Sequence, residues 1–227
     1  PCLIWAIVES DCGKFSQIVE RWTNSVTIQN RLNVPTQIVV PPHDYSMFRE
    51  AAVKRRSIDC AAILRSNDAD SKRIDLFVKV VNSLGVTGHL ITTAPNDELE
   101  KQIKGLETDK LKVSFNCNRH EAAEILGQAK VLFHPSEQES CPLTIYESMN
   151  AGAVPVARDI GAIAEQMGNV GIIFNGDGDA ERAVSAAIKL GEHAGFREKI
   201  MDCGFGYDKE SVGKVLEERM SVISKKL

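Results

Sequence analysis

Residues 133–156 read Phe133-His134-Pro135-Ser136-Glu137-Gln138-Glu139-Ser140-Cys141-Pro142-Leu143-Thr144-Ile145-Tyr146-Glu147-Ser148-Met149-Asn150-Ala151-Gly152-Ala153-Val154-Pro155-Val156. An apolar strand ends at His134, a loop carries Glu139, a helix is expected to open at Pro142, and Val154 begins another strand. Proline at a first helical position costs nothing, because its missing N–H would have had no partner there. The free amides of Leu143 and Thr144 then face whatever lies above the strand ends. Thr144, Glu147, Ser148 and Ala151 share one helical face, while Ile145 and Met149 share another that would pack on a sheet. At 1.5 Å per residue, Glu147 stands about 7.5 Å along the axis from Pro142, roughly the reach from a bound pyrophosphate to the ribose beside it. An anion at the helix start and a sugar hydroxyl at Glu147 can therefore belong to one ligand.

Outward from this segment, short β-branched runs alternate with stretches of helical period almost from end to end, the pattern of βαβ units around a doubly wound parallel sheet. Strands are expected at 2–8, 36–40, 59–64, 89–93, 112–115, 131–134, 154–157 and 171–174. Helices are expected at 13–22, 72–84, 97–104, 121–129, 142–151, 179–190, 194–203 and 209–225. Asn118 and Asp179 are expected to cap helix starts, and Gly152 to follow a helix end. No linker divides the chain, so residues 1–227 are expected to form one domain, with 1–57 a less regular lead-in and 194–227 carrying C-terminal helices. In such sheets ligands sit beyond the C-terminal strand ends, where helix amides point outward.

The chain has 227 residues, 43% hydrophobic and 26% charged, which excludes disorder, collagen and coiled coil. Its 27 Lys+Arg against 31 Asp+Glu give a formal charge of −4, so no chain-wide basic field exists to hold nucleic acid by counterion release. An anionic ligand must be gripped locally. No apolar run approaches the roughly 18 residues that span a bilayer, and Leu3-Ile4-Trp5-Ala6-Ile7-Val8 lacks the flank and length of a signal peptide, so a cytoplasmic location is expected. Cys2, Cys12, Cys60, Cys117, Cys141 and Cys203 form no C-x-x-C pair and read as free thiols. The sequence opens at Pro1, compatible with initiator removal or with a fragment of a longer chain.

The 133–156 segment resembles the retaining, GT-B-fold nucleotide-sugar glycosyltransferases of the group 1 kind, specifically their C-terminal donor-binding domain. The resemblance rests on Pro135-Ser136 at a strand end, Glu139 and Glu147 separated by seven residues, and Ala151-Gly152-Ala153-Val154-Pro155-Val156 after the helix. Cys141-Pro142 stands where an aromatic-Gly pair is commoner. Arg158-Asp159-Ile160-Gly161-Ala162-Ile163-Ala164-Glu165 is similar to the family's Gly-Gly-x-x-Glu turn, with Ala162 for the second Gly. Upstream, Arg65 and Lys72 match the family's phosphate-binding Arg and Lys, although Leu64 replaces a Gly, and Arg73 is an alternative to Lys72. Pro41-Pro42-His43-Asp44 looks like its Pro-Pro-Gly-x-Asp turn with a residue missing, and Val113-Ser114-Phe115-Asn116-Cys117 like its Val-x-Phe-x-Gly segment. Coverage runs over about residues 36–190 and is strongest from 133 to 174.

The resemblance implies one Rossmann-like half of a GT-B fold that transfers a sugar from a nucleoside diphosphate, UDP- or GDP-linked, to a glycan, lipid or other hydroxyl compound. Arg65 and Lys72 would stabilise the departing phosphate with the amides of Leu143 and Thr144, needing neither metal nor cofactor. Glu147 would accept hydrogen bonds from the ribose and Glu139 from the donor sugar. Ser140, Cys141 and Pro142 would border the donor, and backbone groups at Val113 and Phe115 the base. An N-terminal acceptor domain or a partner subunit would complete the enzyme, a longer parent chain being favoured over a partner. Alternatives are a non-catalytic sugar-nucleotide-binding module and a flavodoxin-like domain for a phosphate ligand.

His134 and His43 read as structural histidines near the ligand edge. Asp177-Gly178-Asp179 and Asp68-Ala69-Asp70 mimic metal-binding acidic triplets, but the first reads as a turn with a capping Asp179. Trp22, Phe48 and Phe133 read as core.

Overall fold

β-branched and small residues dominate the central strands at 58–63, 129–134 and 154–158, where most side chains are buried. The computed structural model describes residues 2–5, 18–23, 37–38, 44–66, 69–205, 213–214, 217–218 and 221. Strands β1 Cys2–Trp5, β2 Ile18–Thr23 and β3 Gln37–Ile38 form a small parallel sheet within the lead-in. The helix expected at 13–22 is thus a strand from residue 18 on. The β-branched Ile18, Val19 and Thr23 with Trp22 favour a pleated backbone over a helix. Residues 13–17, most of the 209–225 helix, His43, Asp68 and the Pro41-Pro42 turn lie outside the described residues.

Six further strands build the main sheet: β4 Ile58–Ile63, β5 Gly88–Thr92, β6 Leu111–Phe115, β7 Ala129–His134, β8 Val154–Arg158 and β9 Ile172–Phe174. All pair in parallel in the order β6-β5-β4-β7-β8-β9, with Cys60 opposite Val131 and His134 opposite Ala157. Counted from β4, this is the 3-2-1-4-5-6 order of the doubly wound dinucleotide fold, not the 2-1-3-4-5 order of flavodoxins, which removes the flavodoxin-like alternative. The direction of winding reverses between β4 and β7, and the loops after those two strands diverge there to leave a crevice.

The connecting helices are α1 Ser46–Ala51, α2 Ala69–Lys72, α3 Ile74–Leu84, α4 Asp97–Lys104, α5 Arg119–Gln128, α6 Leu143–Asn150, α7 Ile163–Met167, α8 Asp177–Glu192 and α9 Ala194–Phe205. Asn118 caps α5 in a reciprocal box: its side chain accepts from Glu121 N at 3.1 Å while Glu121 accepts from Asn118 N at 2.8 Å. Asp179 does not cap α8. That helix starts at Asp177 after Gly176, and Asp179 in its first turn pairs with Arg182 at 2.8 Å. The helix expected over 72–84 is broken at Arg73, whose left-handed backbone (φ 56°) separates α2 from α3. Among the described residues no helix is long and apolar enough to cross a membrane.

Beneath the 133–156 segment, Phe133, Val131, Ile145 and Met149 belong to one continuous apolar core. Ser148 and Ala151, placed by their spacing on a ligand-facing side, are buried instead. The Ser148 hydroxyl donates to Ile145 O at 2.8 Å and the Asn150 amide to Tyr146 O at 2.9 Å, so these polar groups enter the core already partnered. Arg56, only 9% exposed, staples the layers together. Its guanidinium donates to the carbonyls of Ala129, Leu126 and Ala151, joining the ends of α5 and α6 to the start of β7, and burial lowers its pKa to about 10. No carboxylate helps to hold it among those contacts; the carbonyl oxygens fix both its place and theirs. Arg56→Met, which keeps the aliphatic stem but orphans buried carbonyls, should lower stability in a denaturant titration by about 3 kcal/mol. A midpoint like that of the unaltered chain would contradict this.

Candidate functional site

The crevice between the β4 and β7 loops is a cleft of about 470 Å³. Of the residues singled out by sequence, Arg65, Lys72, Glu139, Pro142, Leu143 and Thr144 line it, with Thr92, Thr93, Asn116, Cys117 and His134 completing the wall. Pro142 is the residue before the helix rather than its first, with extended backbone (φ −69°, ψ 128°) and no side chain able to cap. Ile145 N turns back to Pro142 O at 3.3 Å, while the amides of Leu143 and Thr144 have no acceptor among the described residues. The Thr144 hydroxyl is buried at the same end and also lacks a partner, as do the Ser136 hydroxyl and His134 Nδ1 on the approaching strand and loop. Buried polar groups are normally paired, so the open amides of Leu143 and Thr144 beside the Thr144 hydroxyl, all on the cleft wall, mark a place for a polar ligand.

Arg65 lies two residues past the end of β4 and is exposed, with no partner among the described residues. Its loop is tied to the β5 end by Ser66, whose hydroxyl donates to Thr93 O. Lys72 lies at the end of α2, and Ser71 O accepts from Glu137 N at 2.7 Å, which brings the β4 and β7 loops together. Lys72 Nζ donates to Glu139 Oε1 at 2.7 Å, and His134 Nε2 lies 3.1 Å from the same oxygen. Burial would raise the Glu139 pKa, but the hydrogen bonds from His134 and Lys72 outweigh it and hold the carboxyl at about 2. Gly161 supports this loop from below. Its φ of 56° admits the turn, and a Cβ there would stand 2.4 Å from the carbonyl oxygens of Glu139 and Ser140. Ala162 N donates to Ser140 O at 2.7 Å and Gln166 Nε2 to Pro142 O at 3.0 Å, so the second motif braces the first.

Glu147, one turn along α6, is 14% exposed and its Oε1 lies 3.5 Å from Arg119 Nε. Burial pushes its pKa up, opposed by the Arg119 charge. The Arg119 guanidinium also sits 5.4 Å from the Phe48 ring centre and 5.9 Å from that of Tyr45, with Nη2 buried and without a hydrogen-bond partner among the described residues. Ser140 and Cys141 adjoin the cleft; burial raises the Cys141 thiol to about 11. Val113 and Phe115 are outside the lining. Val113 N donates to Glu107 at 2.9 Å and Phe115 packs on the core, whereas the next two residues, Asn116 and Cys117, reach the wall.

Arg73 is not a substitute for Lys72. Its guanidinium is held by Glu137 at 2.6 Å, Asp177 at 2.7 Å and Asp75 at 3.0 Å, and Arg158 shares Asp177. Asp177 is therefore matched by two arginines, which lower its pKa. Two residues that contact the predicted glutamates were not expected from the sequence to do so: His134, read as structural and indeed buried, and Arg119, not singled out at all. Both stand where a strand end meets a loop or helix start, the rule that located the other site residues.

Comparison with known proteins agrees with this architecture. A glycosyltransferase from Rickettsia africae ESF-5 matches over 91% of this chain and 63% of its own, at TM-score 0.73 and 10% identity. AviGT4, a glycosyltransferase involved in avilamycin A biosynthesis, matches over 90% and 64%, at TM-score 0.70 and 13% identity. Anabaena Alr3699/HepE, solved in complex with UDP and glucose, matches over 97% and 71%, at TM-score 0.74 and 16% identity. The chain thus spans under two thirds of the length of the first two. No curated protein matches it. The fold is a Rossmann-like sheet of the kind that makes up one half of a GT-B glycosyltransferase. Residues 60–193 match the family model for glycosyl transferases group 1, and the chain belongs to that family.

The low pKa of Glu139 gives a direct check on the Lys72–Glu139–His134 contacts. A carboxyl whose pKa falls on folding contributes stability that is fully present above its unfolded value, about 4.3, and is lost as pH drops toward the folded value. The stability advantage of the unaltered chain over Glu139→Gln should be constant near neutrality and shrink by about 2 kcal/mol between roughly pH 5 and pH 2. An advantage that is flat across that interval would show that the carboxylate is not held by these donors.

Proposed function

We propose that the chain is the donor-binding part of a retaining, metal-independent glycosyltransferase that uses a UDP- or GDP-linked sugar. The observation that carries this is the convergence, on one cleft at the reversal of strand order, of two cations, the open amides of α6 and the unpaired Thr144 hydroxyl. Family membership and the likeness to a fold solved with UDP and glucose support it.

In this reading the diphosphate lies across the start of α6, between Arg65 and Lys72. Transfer breaks the bond from the anomeric carbon to the phosphate oxygen and forms one to the acceptor oxygen, whose proton passes to the departing phosphate. Charge grows on that phosphate as the bond breaks, so fixed positive charge and oriented amides in a partly closed cleft lower the barrier more than a strong base would. Glu147 accepts hydrogen bonds from the ribose hydroxyls, with the Arg119 charge opposing the effect of burial on its carboxyl. Glu139 accepts from the donor sugar. Asn116 and Cys117, rather than Val113 and Phe115, border the base. The acceptor, a glycan, lipid or other hydroxyl compound, is held by a further domain of a longer chain or by a partner subunit, since related folds of known structure are about half as long again.

Calorimetry separates these roles. Glu147→Ala should weaken bare UDP or GDP and the sugar nucleotide alike by about 1.5–3 kcal/mol, the range for hydrogen bonds to a charged group. Glu139→Ala should not weaken the bare nucleotide, since it frees Lys72, and should weaken the sugar nucleotide. The reverse pattern would exchange the two assignments, and no binding of any nucleoside diphosphate would defeat the proposal. Because Arg65, Lys72 and the helix amides supply the positive charge, EDTA should leave nucleotide affinity unchanged, whereas a loss of tenfold or more, about 1.4 kcal/mol, that Mn²⁺ restores would indicate a metal-dependent site.

A further inference from the structure

Glu139 Oε1 is asked to serve two donors of different kinds. Lys72 Nζ reaches it at 2.7 Å from a flexible four-carbon stem that also touches Gln138 O at 3.4 Å. His134 Nε2 reaches it at 3.1 Å from the last residue of a central strand, with the side chain 3% exposed and the preceding Phe133 fully buried. An ionised carboxylate only accepts hydrogen bonds, so Nε2 of His134 carries the hydrogen. Nδ1 remains buried with no partner among the described residues. A core histidine that served packing alone would not aim its donor along the cleft wall at the carboxylate that faces the donor sugar.

The two contacts respond differently to a ligand. A diphosphate across the start of α6 carries more negative charge than a single carboxylate, and it draws the ammonium of Lys72 toward itself. The imidazole has no such freedom, because the strand and the surrounding core fix its ring. We infer that His134 is a positioning residue: it holds Glu139 Oε1 when Lys72 turns to the diphosphate and so keeps Oε2 directed at the donor sugar's hydroxyls. This rests on Glu139 being the donor-sugar contact. It also gives a reason for the paired donors, since with Lys72 alone the carboxylate would lose its anchor at the moment the donor arrives.

The test uses the 227-residue chain and two variants, His134→Gln and His134→Asn. Glutamine places an N–H at nearly the reach of Nε2, while asparagine keeps polarity but falls short. Affinities for UDP and UDP-glucose, and for GDP and GDP-mannose, are measured by calorimetry, and bare-nucleotide affinity reports that the cleft is intact. Bare-nucleotide affinity should stay within about twofold in both variants, while the additional affinity contributed by the sugar falls about tenfold in His134→Asn and is retained in His134→Gln. His134→Leu, which fills the same space with no donor, should behave like His134→Asn. Retention of the sugar increment in His134→Asn or His134→Leu would overturn the positioning role, as would its equal loss in His134→Gln. Failure of the unaltered chain to bind any of the four ligands would instead defeat the donor-site reading itself.

Discussion

The first turn of the helix at 143–150 leaves two amides without acceptors among the described residues, because the residue before it is Pro142 and a proline side chain accepts nothing. Most helices close that deficit with a Ser, Thr, Asn or Asp cap, as Asn118 does for α5. Here it stays open, at the C-terminal edge of a parallel sheet and at the point where the winding reverses. The rest of the cleft is arranged around that opening. Gly161 lets the 158–162 turn press against the Glu139–Ser140 peptide, Gln166 holds Pro142 O, and Arg56 ties the far end of the same helix to the base of β7. The helix cannot shift to satisfy its own amides without disturbing three separate braces.

Charge in the cleft follows from the same economy. The chain is net acidic, yet an exposed Arg65, with Lys72 beside it, faces the open amides. The carboxylates near them are already committed: Glu139 to Lys72 and His134, Glu147 to Arg119, Asp177 to Arg73 and Arg158. Pairing keeps Glu139 ionised in a mostly buried position where burial alone would favour the neutral acid. It also means that an entering anion competes with Glu139 for Lys72, which couples phosphate binding to the freedom of the sugar-facing carboxylate.

Much of this was legible in the residues. The 133–156 segment combines periodicity, proline position and glutamate spacing in few enough residues that local rules fix the geometry, and the strand–loop–helix–strand order follows. Alternating runs likewise placed the six strands of the main sheet within two residues of their observed ends. What failed was decided by tertiary context. Residues 18–23 carry a mixture of β-branched and helix-compatible side chains, and only pairing with two neighbouring strands settles them as β2. The sequence favours Lys72 with Arg73 as its alternative, and the left-handed backbone at Arg73 turns that residue into a carboxylate cluster and leaves Lys72 in the cleft. His134 is buried as its structural reading expected, but its contact with Glu139 appears only once the loop folds back onto it. Ser148 shares a helical face with Glu147 by spacing, but α6 is buried on more sides than an amphipathic surface helix, and a local hydrogen bond lets a hydroxyl enter that core.

Backbone amide shift mapping on the isotope-labelled chain with added UDP, repeated with GDP, reads the open amides themselves. The largest saturable changes should fall at Leu143 and Thr144, accompanied by Arg65, Lys72, Asn116 and Cys117, with the 182–193 face of α8 unaffected. Saturable changes centred elsewhere on the molecule, with the Leu143 and Thr144 amides unmoved, would contradict this.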